Sequence, residues 1–326
     1  MHVLVTGATG FVGSHLVEAL LHGGHLVRVL ARKTSDLRWI RGLPITCCWG
    51  DVREPGSLDE ALRGVEWLFH VAGVTKALGY SHYLEANALG TRHVMEACAR
   101  QSQPPSRVIL ISSLAACGPC PTDQPKREAD PCNPVSHYGR SKLEAERMAM
   151  AFADKVPLTV IRPPAVYGPR DRDILAFFRL LHKGWDLRVG KRERYLCLIH
   201  VRDLVRGIIM AARAQVPSGS VFFLSDGQVH PWGEVVRAMA RVMGVRARTI
   251  RVPVPAAWAV ALGSEAVCGL LGLPPLLNRE KVREMIQECW TCDIRKAMEE
   301  LGFKPQIPLE EGLRETYLWY REQGWI

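Results

Sequence analysis

His2-Val3-Leu4-Val5-Thr6-Gly7-Ala8-Thr9-Gly10-Phe11-Val12-Gly13-Ser14-His15-Leu16 decides how the rest of the chain is read. Val3-Leu4-Val5 is apolar and largely β-branched, the pattern of a buried strand, and from Gly13 to Leu21 the apolar positions recur at helical spacing. The turn between them carries glycine at positions 7, 10 and 13. Glycines there permit a tight turn, close approach of backbone to a pyrophosphate, and close packing of helix on strand. The N–H groups of the first helical turn then face the phosphates. Such spacing also arises by chance; its place directly after a first strand and before an amphipathic helix is what gives it meaning.

The same alternation continues outward. Strands are predicted at His2–Thr6, His25–Ala31, Ile45–Trp49, Trp67–Val71, Arg107–Ser112 and Leu158–Arg162. Helices are predicted between them at Gly13–Leu21, Ser57–Arg63, Tyr83–Arg100 and Ser136–Ala153. Gly23-Gly24 supplies a C-cap for the first helix. Ser57 and Glu60 form a capping box for the second, which Gly64 ends. Near-continuously apolar strands alternating with helices predict an α/β fold, a doubly wound parallel sheet covered on both faces. Ser220–Leu224 adds one more strand. Beyond residue 165 the pattern loosens into helices at Leu175–Leu181, Trp232–Met243, Ala256–Leu271, Arg279–Glu288 and Leu309–Glu322. Residues 1–165 are expected to form a dinucleotide-binding domain to which 198–226 return. Residues 166–197 and 227–326 then make a smaller, mostly helical C-terminal substrate lobe over the carboxyl ends of the strands.

The 326 residues are 48% hydrophobic and 23% charged, ordinary globular usage that excludes disordered and fibrous classes. The formal net charge is +9. Its basic residues are dispersed, so a phosphate-bearing small molecule explains the excess more simply than nucleic acid, which is not expected as a partner. No charged n-region or cleavage site precedes the first strand, and the most apolar stretch, Val252–Leu277, contains Ser264, Glu265 and prolines. Neither a signal peptide nor a membrane span is therefore expected, and the chain is read as cytoplasmic, with peripheral membrane contact by that stretch left open. The ten cysteines are expected as free thiols. Cys117-Gly118-Pro119-Cys120 copies a redox tetrapeptide, but Pro121 and the polar residues after it leave no helix N-terminus to lower a thiol pKa. Cys289-Trp290-Thr291-Cys292 lies too far along the chain to complete a zinc site at the usual ligand spacing, so no metal is expected.

Three further positions carry chemistry. Arg32 and Lys33 end the second strand, where a free ribose 2′-hydroxyl would call for Asp or Glu and a 2′-phosphate for a cation. They favour NADP(H) over NAD(H). Asp51-Val52, just after the third strand, can accept from an adenine amino group. Tyr138 and Lys142 sit one helical turn apart and share a face. A phenol of pKa ~10 must fall about three units, ~4 kcal/mol, to act as a base near neutrality. An ammonium ~5 Å away at an effective dielectric of ~20 supplies ~3 kcal/mol. A positively charged oxidised nicotinamide can supply the remainder. The Ser112-Ser113 pair ends the preceding strand, where a hydroxyl can hold the reacting oxygen.

With these residues in order, the chain resembles an extended short-chain dehydrogenase/reductase of the NAD-dependent epimerase/dehydratase superfamily along its whole length. Thr6–Gly13 matches TGxxGxxG, Asp51-Val52 the adenine motif and Val71-Ala72-Gly73 the segment under the cofactor. Asn87–Thr91 matches NxxGT, Tyr138–Lys142 YxxxK, Arg162–Pro169 RPxxVYGP and Ile199–Leu204 IHVxDL. The resemblance implies a Rossmann domain and makes Ser113, Tyr138 and Lys142 the catalytic set, Ser113 rather than Ser112 by its distance from Gly118. It implies cofactor contacts from Gly7, Thr9, Gly10, Phe11, Val12, Gly13, Arg32, Lys33, Asp51, Val52, Val71, Ala72, Gly73, Asn87, Pro163 and Val166, besides Tyr138 and Lys142.

Two departures narrow the branch. Sugar-nucleotide enzymes of this superfamily carry Asn and Arg where this chain has Ala165 and Leu196, although Arg192 or Arg194 lies close enough to substitute. Leu114-Ala115 replaces the Asp-Glu pair of 4,6-dehydratases. The remaining resemblance is to the 3β-hydroxysteroid dehydrogenase, dihydroflavonol reductase and hopanoid-associated epimerase-like branch. It implies an NADP(H)-dependent enzyme interconverting a secondary alcohol and a ketone on an apolar alicyclic substrate of sterol, terpenoid or flavonoid type. Decarboxylation follows where the ketone product is a β-keto acid. The alternatives are a nucleotide-sugar 4-epimerase and a non-catalytic NADP(H)-sensing protein; a homodimer is compatible with all three. Trp258, Val260, Leu262, Leu270, Leu271, Leu273, Leu276 and Leu277 are expected to place an apolar wall over the nicotinamide.

Overall fold

The computed structural model describes residues 1–77, 79–270 and 278–326, with the side chains of 269 and 270 left aside. In chain order the first half runs β1 (His2–Thr6), α1 (Phe11–His22), β2 (Leu26–Ala31), β3 (Thr46–Trp49), α2 (Leu58–Leu62), β4 (Trp67–His70), α3 (Tyr80–Tyr83), α4 (Gly90–Arg100), β5 (Arg107–Ile111), α5 (His137–Met150) and β6 (Leu158–Arg162). A π-helical turn, Leu84–Leu89, joins α3 to α4. The second half runs β7 (Ala165–Tyr167), α6 (Leu175–His182), β8 (Trp185–Val189), β9 (Tyr195–Leu196), β10 (Leu198–His200), α7 (Val201–Arg213) and β11 (Ser220–Phe223). It ends with β12 (His230–Pro231), α8 (Trp232–Met243), β13 (Arg248–Val252), α9 (Val254–Leu270), α10 (Arg279–Met285), β14 (Cys289–Trp290), α11 (Arg295–Leu301) and α12 (Leu309–Glu322).

Seven strands form one sheet in the order β11-β6-β5-β4-β1-β2-β3, and each neighbouring pair is parallel. This is the doubly wound Rossmann arrangement, whose order reverses between β1 and β4. Side chains alternate along each strand, so Val3, Val5, Ile109 and Ile111 join the core beneath α1 and α7, whereas Leu4, Val108 and Leu110 join the core beneath α2, α4 and α5. Each such fully buried aliphatic side chain contributes roughly 1.5–3 kcal/mol.

Several expectations change in detail. Ser57 and Glu60 make no capping box: the Ser57 hydroxyl turns back to accept from the Asp51 N–H at 3.1 Å and donate to the Glu54 carbonyl at 2.8 Å. The helix starts one residue later with no side-chain cap. The local loop wins because it satisfies the hydroxyl twice. Gly64 does end the helix, at φ +71°. The C-terminal lobe is helical but also holds three small sheets, β7/β10, β12-β9-β14 and β8/β13. The strands of the first two are two or three residues long, too short to display an alternation, whereas the five-residue β8 does alternate, Trp185, Leu187 and Val189 against Asp186 and Arg188. Val260 and Leu262 of the expected apolar wall are 59% and 50% exposed, while Trp258 packs beside Val189 and Val282. Leu271, Leu273, Leu276 and Leu277 lie outside the described residues, as does the Leu270 side chain. No helix among the described residues is long and apolar enough to cross a membrane.

Candidate active site

The glycine turn is built as its spacing predicts. Gly7 sits at φ +71°, and a Cβ there would lie 2.6 Å from the Ala72 nitrogen on β4's exit. A Cβ on Gly13 would lie 2.1 Å from the Gly7 carbonyl oxygen, inside any tolerable contact. Gly10 is the N-cap of α1 and no side chain caps that helix, so the N–H groups of Phe11 and Val12, beside Thr9, are available to a diphosphate. This uncapped, glycine-tight terminus at the strand-order reversal fits the pyrophosphate of a dinucleotide. Gly13→Ala is expected to abolish cofactor binding in a fluorescence titration and to lower the melting temperature, because helix and turn cannot separate without breaking the strand contact.

Arg32 and Lys33 are exposed just past β2, and neither forms an ion pair among the described residues. Asp51 is instead engaged by Arg53, whose Nη2 donates to Oδ2 at 2.7 Å. Although burial opposes it, these hydrogen bonds hold the Asp51 carboxyl below its usual range. Val52 packs where a Cβ on Gly90 would meet it at 2.9 Å.

Under the centre of the site runs a network that the motifs did not reveal. The Ala72 N–H donates to Thr6 Oγ1 at 3.2 Å, and the Thr6 hydroxyl lies 2.7 Å from His70 Nδ1. His70 Nε2 lies 3.0 Å from Thr91 Oγ1, which donates to the Asn87 carbonyl at 2.6 Å. Burial first, and the Lys142 charge second, press the His70 pKa down to about 3, so the ring is neutral and bridges two hydroxyls. This ties the Val71–Gly73 segment to the π-helical turn. Asn87, in that turn, accepts from the Val74 N–H at 2.7 Å and donates to Ser141 Oγ at 2.8 Å, fixing the turn against α5. Only burial distinguishes His70 from a surface histidine, and burial is not written in its neighbours.

Ser113, Tyr138 and Lys142 converge at the carboxyl end of β5. Ser136 caps α5, accepting from the Gly139 N–H at 3.1 Å, and sets Tyr138 in the first turn. Gly139 lets α5 close on the serine loop, since a Cβ there would lie 2.3 Å from the Ala115 carbonyl oxygen. The two serines divide their roles. Ser112 is buried and donates to the Glu146 carboxylate. Ser113 begins the next turn and acts on the Tyr138 hydroxyl, drawing its pKa down against burial. Burial nevertheless wins and holds the phenol up at about 12. This differs from the expected depressed phenol: Lys142 donates to the Ile111 carbonyl at 2.7 Å. Burial also pulls Lys142 down to about 8, against the pull of Glu146.

Around this set, Arg162 at the end of β6 grips Glu146 with Nε at 3.0 Å and Nη2 at 2.5 Å, and its Nη1 reaches Cys117 Sγ at 3.0 Å. Pro163 accepts from the Leu114 N–H at 2.8 Å. Val166 follows in β7, and Ala165 is exposed at its start. Leu196 is half-buried against the lobe's own core. Arg192 is ion-paired with Glu288 on the surface, and Arg194 donates to the Val189 carbonyl. From the C-terminal lobe, Glu284 accepts from Ser136 Oγ at 2.7 Å and Glu280 from the His137 N–H at 2.6 Å, so α10 clamps the N-terminus of the helix that carries Tyr138.

All ten cysteines are free thiols. The distant CxxC pairs do meet, contrary to expectation: Cys120 Sγ is 3.3 Å from Cys289 Sγ, while Cys117 lies 3.4 Å from Cys132. Strand β14 carries Cys289 back beside the loop after Ser113, which linear spacing cannot show. No group of three or more metal-ligating side chains exists among the described residues.

A Rossmann sheet, a bare glycine-turn helix N-terminus and a Ser-Tyr-Lys set define a nicotinamide-dependent enzyme. Residues 3–224 match the NAD dependent epimerase/dehydratase family, and the chain belongs to it. It is 33% identical to the ceramide reductase of Caulobacter vibrioides, over 99% of this chain and 96% of that one. It is 26% identical to sterol demethylase protein B of Methylococcus capsulatus, over the full length of both. Among solved structures it is similar to gox2253, with TM-score 0.83 and 29% identity over 99% and 98% of the two chains. It is also similar to MoeE5 in complex with UDP-glucuronic acid and NAD, with TM-score 0.79 and 28% identity over 99% of this chain and 100% of that one.

Proposed function

We propose that this oxidoreductase uses NADP(H) to interconvert a secondary alcohol and a ketone on an apolar alicyclic substrate. The observation that carries the reading is the gathering of Ser113, Tyr138 and Lys142 at the carboxyl end of β5, where Ser113 acts on the Tyr138 hydroxyl and Lys142 donates to the Ile111 carbonyl at 2.7 Å. The cofactor, when bound, supplies or accepts the hydride. Ser113 donates a hydrogen bond to the substrate oxygen. Tyr138, neutral with a pKa near 12, hands its proton to the alkoxide that forms as a ketone is reduced; an alkoxide is a far stronger base than a phenolate, so the transfer runs downhill. In the oxidising direction the phenol must first be lowered, which needs the Lys142 ammonium turned from Ile111 toward it. Lys142 also holds the nicotinamide ribose, with Asn87 fixing the turn beside it.

The apolar substrate is supported by Ala165 and Leu196 where a sugar nucleotide would meet polar groups, and by relatives named for ceramide and sterol. If the substrate carries a carboxylate β to the new ketone, carbon dioxide leaves and its bonding electrons pass into the carbonyl as an enolate, which is then protonated. The test is NADPH oxidation with cyclic ketones, alongside thermal shift in NADP⁺ with polycyclic alcohols or UDP-sugars. Stabilisation by a UDP-sugar and by no polycyclic alcohol would promote the 4-epimerase reading; MoeE5, at 28% identity, is in complex with UDP-glucuronic acid and NAD.

Cofactor choice rests on Arg32 and Lys33, exposed and unpaired where the adenine ribose would lie. Arg32→Asp is expected to weaken NADP(H) binding by an order of magnitude or more, consistent with ~1.5–3 kcal/mol for a charge-assisted contact, with little effect on NAD(H). Tighter NAD(H) than NADP(H) binding by the wild type would overturn it.

A further inference from the structure

We propose that the face formed by α9 and the β8–β13 ribbon docks on a bilayer carrying anionic lipids. This stands on the surface alone and holds or fails independently of the substrate reading. The 17-residue helix α9 contains one charged residue, Glu265, which is held by Arg279 at 2.7 Å. Among the described side chains of this helix only Ala257 and Ala261 are buried; Val260, Leu262 and Val267 are 59%, 50% and 58% exposed. Compare α5, whose outer side carries Arg140, Glu144 and Arg147. A helix with nothing on its outer face to hydrate is an anomaly on a water-facing surface.

The ribbon extends the same patch. Parallel pairing sets Trp185 beside Arg248, Leu187 beside Ile250, and Val189 beside Val252 on one face. Trp185, Leu187 and Ile250 are exposed, while Val189, at the far end of that face, is buried against Ala257 and Ala261 of α9. The exposed strip therefore runs up to the edge of the exposed helix.

Charge identifies the occupant. Lys183, Arg246 and Arg248 flank the strip, all exposed, and none forms an ion pair among the described residues. The acids close by are already committed: Asp186 to Arg188 at 2.8 Å, and Glu265 to Arg279. Unpaired cations around an uncharged apolar stripe, with a tryptophan among the cations, match an anionic headgroup layer over an acyl boundary. No helix among the described residues is long and apolar enough to cross a membrane, and the proposed contact is with the interface. A second copy would bring the same cations against these and repel them.

The test is flotation of the whole protein with vesicles of phosphatidylcholine mixed with phosphatidylglycerol, against phosphatidylcholine alone. Wild type is expected to float with the anionic vesicles and to be released by salt. Val260→Asp/Val267→Asp should abolish flotation, and Arg246→Glu/Arg248→Glu should weaken it about tenfold or more. Both pairs occupy exposed positions, and an unchanged melting temperature checks that each folds; the charge pair tests the proposal even if the helix pair does not. No flotation of wild type with anionic vesicles would overturn the proposal, as would flotation insensitive to the charge pair. A wild-type dimer in solution that does not float, and that Val260→Asp makes monomeric, would assign the face to a second copy instead.

Discussion

Tyr138→Phe is expected to lower turnover in ketone reduction by about 10²–10⁴-fold while NADPH binding survives. The substitution keeps the ring, whose centroid lies 6.3 Å from that of Tyr83, and removes only the hydroxyl that Ser113 addresses. A steady-state assay with a fluorescence titration separates the two effects, and undiminished turnover would remove Tyr138 from the mechanism. The pH profile sharpens the test. A phenol held near 12 stays protonated through the neutral and mildly alkaline range and adds no alkaline limb there. Lys142, lowered to about 8 by burial, loses its charge as pH rises through that value. Cofactor affinity should therefore weaken above pH ~8 if the ammonium holds the ribose, and Lys142→Met should flatten that limb while weakening binding at every pH. A limb that persists in Lys142→Met would assign it to another group.

Arg162→Met is expected to cost about 3–5 kcal/mol of folding stability. Arg162 and Glu146 are 6% and 4% exposed, and the pair is bidentate, joining β6 to α5 directly behind the Ser112-Ser113 pair. Removing the guanidinium leaves a carboxylate buried with only the Ser112 hydroxyl, and leaves Cys117 without its donor. Glu146→Leu should cost a similar amount for the converse reason. The double variant should recover much of the loss, because most of the cost is an unpaired buried charge rather than a missing attraction. Denaturant unfolding of the four proteins closes the cycle; additive losses in the double variant would refute the pair's coupling.

The two pairings differ in how visible they are in the chain. Tyr138 and Lys142 are a local pattern: one helical turn separates them and the Ser136 cap fixes where the turn begins, so spacing alone places both on one face. The glycine turn is local in the same way, since the conformations at Gly7 and Gly13 are demanded within a single strand–helix unit. Glu146 and Arg162 belong to different elements, and nothing in either neighbourhood marks them as buried. His70 is the same case, reading as the next-to-last residue of a strand until Thr6 and Thr91 are brought against it.

By itself, then, the sequence determined the parallel sheet, its helices and the residues around the cofactor turn, because strand periodicity, glycine geometry and a one-turn helical spacing are all local constraints. Tertiary structure alone decided which charges are buried. It set the protonation of Tyr138 and Lys142, since desolvation depends on everything packed around a group. It also decided that Ser57 turns back into its loop, that Cys120 meets Cys289, and that Val260 and Leu262 face outward. Each of these depends on which distant segment occupies the neighbouring space, a quantity that sums over the whole chain and is written at no single position in it.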